Sequence, residues 1–143
     1  MEETARQRDI KMKPFLSLLI LLFSLQSFAL PITYAITVST EDVELNRLLK
    51  QLKPNLDKED KILVQVDQDN NTAEVLAVID YYKQTIPEEQ FKVVIFPLNK
   101  DFGSFKNNLI KNAGSEGFMF QIDADETLSF SLMQNLKYYL SQN

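Results

Sequence analysis

Cysteine and histidine are both absent from this sequence. Their absence removes thiol nucleophiles, histidine-assisted serine chemistry, Cys/His zinc sites and disulfides together. Any metal must therefore be held by oxygen. Positive charge is also scarce: 15 Lys+Arg stand against 20 Asp+Glu, a formal net charge of −5. After residue 31 the balance is 11 Lys+Arg to 17 Asp+Glu, more acidic still. With no basic patch interleaved with aromatics, that charge argues against a nucleic-acid partner. There is no low-complexity tract. At 143 residues the length suits one domain.

Composition divides the chain into a hydrophobic N-terminal segment, residues 1–31, and a domain, residues 32–143. Arg6, Arg8, Lys11 and Lys13 precede Pro14–Leu30, which is almost wholly apolar. That stretch is at the lower limit for a spanning helix. It also reads as a signal peptide, with a small-x-small site at Ser27-Phe28-Ala29. The expectation is membrane association through residues 14–30, with the domain carried across the bilayer. The alternative is a peripheral helix or an over-extended translation start, which leaves a cytoplasmic protein.

From Ile32 onward, four apolar segments recur: Ile32–Val38, Lys61–Val66, Phe91–Phe96 and Gly117–Ile122. A helical stripe follows each. Leu45, Leu48, Leu49 and Leu52 form the first, and Val75, Leu76, Ile79 and Tyr82 the second, with Asn71 and Glu74 spaced as a capping box. The third is Phe102, Phe105 and Leu109, started by Asp101 as N-cap and ended by Gly114. The fourth, from Thr127, holds Leu128, Leu132, Leu136, Tyr139 and Leu140. Phe102, Phe105 and Tyr82 read as core. Strands alternating with helices predict an α/β fold of about four βα units on a mostly parallel, Rossmann-type sheet. Right-handed crossovers place all four strand C-termini on one edge. That edge collects Ser39-Thr40-Glu41, Asp67-Gln68-Asp69-Asn70, Pro97-Leu98-Asn99 and Asp123-Ala124-Asp125. A polar, acidic rim at the strand ends is where open α/β sheets bind ligands. Asp123 and Asp125, one residue apart, can both reach a hard divalent cation such as Mn²⁺ or Mg²⁺. The competing explanation is an acidic start to the next helix, favoured by the helix dipole.

The run Lys100-Asp101-Phe102-Gly103-Ser104-Phe105-Lys106-Asn107-Asn108-Leu109, then Ala113-Gly114 and Phe120-Gln121-Ile122-Asp123-Ala124-Asp125-Glu126, resembles the donor half of family 2 glycosyltransferases. Ile32–Val38 with Thr40-Glu41 and Leu45…Leu48-Leu49 is similar to that family's first βα unit. The resemblance spans Ile32 to about Leu140. It implies a GT-A-type domain that binds a nucleotide-diphosphate sugar, UDP-linked, and transfers a glycosyl group to an acceptor hydroxyl. It further implies nucleotide contacts from Thr40, Glu41, Asp67, Lys106 and Asp123, and a metal held by Asp123 and Asp125. Asp67 would read the uracil N3, Lys106 would lie near the diphosphate, and Asp125 would ligate the metal directly. Asn107 and Asn108 either bond in the cleft or sit exposed on the helix.

Two departures from the family pattern stand out. Asp67-Gln68-Asp69-Asn70-Asn71-Thr72 keeps the family's first acid at the second strand end and replaces the later one. The family also continues past Asp-x-Asp into an acceptor-binding half, whereas this sequence is expected to lack one, ending one helix later at Asn143. No general base can be assigned, since Glu126 belongs to the metal rim. The alternative function is thus a catalytically incomplete donor-binding fragment or subunit that needs a partner chain. A receiver-like phosphoacceptor module also gathers acids at strand ends, but needs a late lysine at a strand end, and Lys137 lies in a helical stripe.

Overall fold

The computed structural model describes residues 30–142, so the readings made for residues 14–30 as anchor or signal lie almost wholly outside the described residues. Among the described residues, no helix is long and apolar enough to cross a membrane. The domain is α/β. Strand β1 (Ile32–Val38) leads to helix α1 (Asp42–Leu52), β2 (Lys61–Asp67) to α2 (Ala73–Thr85), β3 (Phe91–Phe96) to α3 (Phe102–Ala113), and β4 (Phe118–Asp123) to α4 (Phe130–Leu140). All strand pairings are parallel, in the order β3-β2-β1-β4. The expected βα rhythm is therefore the observed one.

β1 is central, and all seven of its residues are buried. Parallel strands covered on both faces carry near-continuous apolar runs, as Ile32–Val38 does. Ile32, Tyr34, Ile36 and Val38 pack with Leu45, Leu48, Leu49 and Leu52 of α1, Val75, Ile79 and Tyr82 of α2, and Met133 and Leu136 of α4. On the other face, Ala35 and Leu63 meet Leu109 of α3. A buried amide fixes α3 there: Gln65 Nε2 donates to the Phe105 carbonyl at 2.7 Å, and Asn108 Nδ2 donates to Gln65 Oε1 at 2.8 Å. Asn108 is thus a scaffold residue, and Asn107 is exposed.

Two helix starts differ from the sequence reading. The N-cap of α2 is Thr72, whose Oγ1 accepts from the Val75 amide at 3.2 Å, so Asn71 and Glu74 do not form a capping box. Asn71 instead donates from Nδ2 to the carbonyls of Asp67 and Gln68, closing the turn before the helix. α4 starts at Phe130 with Ser129 as N-cap rather than at Thr127, because Leu128 is drawn into the core ahead of the first turn. The Asp101 cap and the Gly114 stop are as read: Asp101 Oδ1 accepts from the Ser104 amide at 3.0 Å, and Gly114 has φ +83°.

At the N-terminal edge of the sheet a second acid is buried. Asp60 is fully enclosed and accepts from the amides of Ile32 and Asp57, both at 2.9 Å, and from Lys137 Nζ at 2.8 Å. Lys137 also pairs with Asp57. Burial pushes the Lys137 ammonium down, but its bonds to Asp57 and Asp60 outweigh that and hold it above the ordinary lysine value. Burial, reinforced by the charges of Asp60 and Asp57, pushes the nearby Tyr34 hydroxyl up to about 12. This clamp ties α4 to the start of β2, on the rim opposite the strand C-termini. A receiver-like role for Lys137 has no support there.

Candidate functional site

Stepping from β1 to β2 to β3 moves one way across the sheet, and β4 then returns to the far side of β1. The β1–β2 connection packs its helix α1 on one face and the β3–β4 connection packs α3 on the other, opening a crevice at the C-terminal ends of β1 and β4, the usual ligand position in such sheets. A cleft of about 190 Å³ lies there, lined by residues from all four strand ends. Thr37, Ser39 and Glu41 come from β1 and its turn, Asp67 from β2, Leu98 from the segment after β3, Phe102, Phe105 and Lys106 from α3, and Asp123 and Asp125 from β4. Five of the sequence-proposed residues, Glu41, Asp67, Lys106, Asp123 and Asp125, therefore converge. Thr40 stands exposed in its turn, outside the lining.

The floor is a bonded trio. Thr37 and Asp123 are register partners on adjacent strands, so their side chains share a face. The Thr37 hydroxyl donates to Asp123 Oδ1, and Lys106 Nζ forms an ion pair with the same oxygen and lies 3.1 Å from Thr37 Oγ1. Burial raises the Asp123 pKa, but the bonds from Lys106 and Thr37 and the Lys106 charge outweigh it and hold the carboxyl below its ordinary value. Asp123 is ionised and oriented, and among the described residues nothing bonds to its Oδ2. Among the described residues, Lys106 is the only basic side chain lining the cleft.

The other acids differ in how much of their bonding capacity is spent. Asp67 is 1% exposed, and its carboxylate accepts from the amides of Asp69 and Leu98 and from Asn70 Nδ2 at 2.7 Å. Burial pushes its pKa up, and those bonds together with Ser39 bring it below the ordinary value. Its first task is thus to pin the β2–α2 and β3–α3 turns together. Glu41 Oε2 accepts from the Ser39 and Thr40 amides at 2.8 and 2.9 Å, so it shapes the turn after β1. Glu126 bends back to accept from the Asp123 amide at 2.8 Å. Asp125 is exposed and bonds to no described side chain or backbone group. Among the described residues, no group of three or more metal-ligating side chains occurs. The oxygen set available to a cation is Asp125 with the open oxygen of Asp123.

Phe102 corrects the sequence reading. Phe105 and Tyr82 are core as expected, whereas Phe102 is 66% exposed and lines the cleft. It belongs to the helical stripe by spacing, but it opens the first turn of α3, which overhangs the sheet edge. Thr37 was missed altogether, because a uniformly buried strand gives no alternation to reveal which face a residue takes. Neither a comparison with protein-family models nor one with curated proteins returns a match for this chain. The resemblance to family 2 glycosyltransferases rests on its own residues.

Proposed function

We propose that this domain binds a nucleotide-diphosphate sugar at the C-terminal rim of its sheet, through a divalent cation, as the donor-binding part of a glycosyltransferase. The observation that carries the reading is the convergence of Glu41, Asp67, Lys106, Asp123 and Asp125 on one cleft at the sheet's switch point. A cluster of acids repels a diphosphate unless positive charge intervenes. Among the described residues the cleft offers one cationic side chain, Lys106, and the carboxylates of Asp123 and Asp125, hard oxygen donors of the kind that suit Mn²⁺ or Mg²⁺. Such ions are commonly held by one or two carboxylates and completed by phosphate oxygens. Asp125 is the free ligand, Asp123 offers its open oxygen, and Lys106 is placed to turn towards phosphate oxygens. When bound, the cation would neutralise charge on the departing nucleotide diphosphate.

Transfer to an acceptor hydroxyl also needs a base on the acceptor's side. In the cleft, Glu41 and Asp67 are committed to backbone amides, and Asp123 and Asp125 belong to the cation. The second reading follows from that: a donor-binding unit whose acceptor wall and base come from a partner chain. Titration calorimetry with uridine diphosphate, with and without Mn²⁺, tests the binding claim. Equal binding in chelator, or no binding of any nucleoside diphosphate, would sink it. Mass spectrometry of incubations with nucleotide sugars and acceptors separates the two readings. Slow donor hydrolysis alone supports the partner-dependent unit, and rapid glycoside formation supports a self-sufficient transferase.

A further inference from the structure

The elements that line the cleft contribute unlike side chains. The ends of β1, β2 and β4 contribute mostly polar side chains, Thr37, Ser39, Glu41, Asp67, Asp123 and Asp125, with Val38 and Ala124 among them. The junction of β3 and α3 contributes the apolar Leu98, Phe102 and Phe105, followed by Lys106. Phe105 is buried against Phe96, with ring centroids 6.4 Å apart. Phe102 stacks on no other ring among the described residues and leaves most of its surface in water. Binding a bare diphosphate calls for no apolar wall.

The turn that delivers Phe102 is held under strain. Asn99 and Lys100 both adopt left-handed backbone, φ +47° and +59°, which costs a non-glycine residue free energy. Three bonds hold the turn: the Asp101 amide to the Leu98 carbonyl at 2.8 Å, the Leu98 amide to Asp67 Oδ1 at 3.1 Å, and the Asp101 cap. Strained turns of this kind cluster at ligand sites. The result is a flat apolar ring fixed at the mouth of a polar cleft, one helical turn before Lys106.

We propose that Phe102 is the stacking platform for the nucleobase of the bound nucleotide, with Lys106 behind it facing the phosphates. The inference rests on the nucleotide reading above and adds the residue that distinguishes a nucleotide from other phosphorylated ligands. Every base has a π-face, so stacking gives affinity with little preference among bases. Discrimination among bases would fall to the polar groups that share the cleft.

The test uses the full chain with Mn²⁺ and three probes: uridine diphosphate, inorganic pyrophosphate and a uridine-diphosphate hexose. Phe102→Ala should weaken uridine diphosphate about ten-fold or more, on the scale of base–aromatic stacking. Pyrophosphate affinity should stay unchanged, and Phe102→Tyr should restore uridine diphosphate binding where Phe102→Leu does not. Because the side chain is largely exposed, thermal unfolding should be nearly unaltered in all three variants. Unchanged uridine diphosphate affinity in Phe102→Ala overturns the platform alone and leaves the nucleotide reading standing. Equal losses for pyrophosphate and uridine diphosphate overturn it in favour of a structural role for the helix start. A loss confined to the sugar nucleotide moves the ring to the hexose and overturns the base assignment. Failure of the unaltered protein to bind uridine diphosphate sinks both inferences.

Discussion

Lys106 of α3 and Asp123 of β4 form an ion pair across the floor of the cleft, with the Thr37 hydroxyl bonded to the same carboxylate oxygen. The pair joins a helix on one face of the sheet to the last residue of an edge strand. Of the described acids that line the cleft, it leaves Asp125, two residues on, without a bonding partner.

Asp125→Asn should abolish the Mn²⁺ dependence of uridine diphosphate binding and leave the fold intact. The change removes charge from an exposed side chain and alters no buried volume, so stability should stay within about 0.5 kcal/mol. Calorimetry in Mn²⁺ and in chelator reads the first effect, and urea unfolding the second. A variant that keeps full metal dependence removes Asp125 from the cation site.

Asp123 should make stability depend on pH. Its carboxyl is held below its ordinary value in the folded protein. The stability it contributes is therefore present above the ordinary carboxylate range and is lost as pH falls through its folded value. The pair is partly exposed, so its worth at neutral pH is at most about 1 kcal/mol. Urea midpoints of the unaltered protein and Asp123→Asn should differ near neutrality and converge below about pH 4. A gap that persists unchanged into strong acid would contradict this.

Asp60→Ala should be far more damaging than Asp57→Ala. Asp60 is fully buried and satisfies two backbone amides and Lys137, whereas the Asp57 side chain is 58% exposed. Stripping a buried partner from such a network costs about 3 kcal/mol, and stripping an exposed one about 1 kcal/mol or less. Chemical denaturation of both variants measures the difference, and equal losses would show that the clamp is not what holds α4.

Among the glycines, Gly117→Ala should cost most. At φ +70° an added Cβ would lie 2.1 Å from the Pro31 carbonyl oxygen, which already accepts from the Phe118 amide at 2.9 Å. Gly114 has φ +83° with nothing within 4 Å of the same added atom. Gly114→Ala should therefore cost only backbone strain, about 1 kcal/mol, and Gly117→Ala about 3 kcal/mol. Thermal unfolding of the pair decides it.

The layout of the domain was largely legible in the sequence because its strands are short apolar runs and its helices keep a 3.6-residue stripe. The leucines of α1 illustrate this, since spacing alone identified all four as buried. The helix starts at Thr72 and Ser129 were less visible, because several polar residues compete for each cap and only tertiary packing decides among them. The rim acids were legible as a set, since parallel topology fixes which strand ends meet. Their separate tasks were not. Whether a carboxylate is spent on backbone amides, as in Asp67, or left open, as in Asp125, depends on turns closed by residues distant in sequence. Phe102 was misread for a related reason: helical spacing says which side a residue faces, but not whether the sheet extends far enough to cover it. The burial of Asp60 likewise depends on the Ile32 amide, contributed from 28 positions away.

The β1–β4 pairing carries a consequence for how the protein acquires its site. Thr37 and Asp123 stand 86 positions apart, with two complete strands and three helices between them. Closing so long a loop carries the largest entropic penalty of any pairing in the sheet, and the neighbouring pairs β1–β2 and β2–β3 close much shorter ones. A chain that has assembled only those pairs already possesses a hydrophobic layer and most of its helices, yet has no cleft floor. The proposed recognition of ligand would therefore belong to the finished molecule, and a bound ligand would act as a fastener on the seam that is hardest to close.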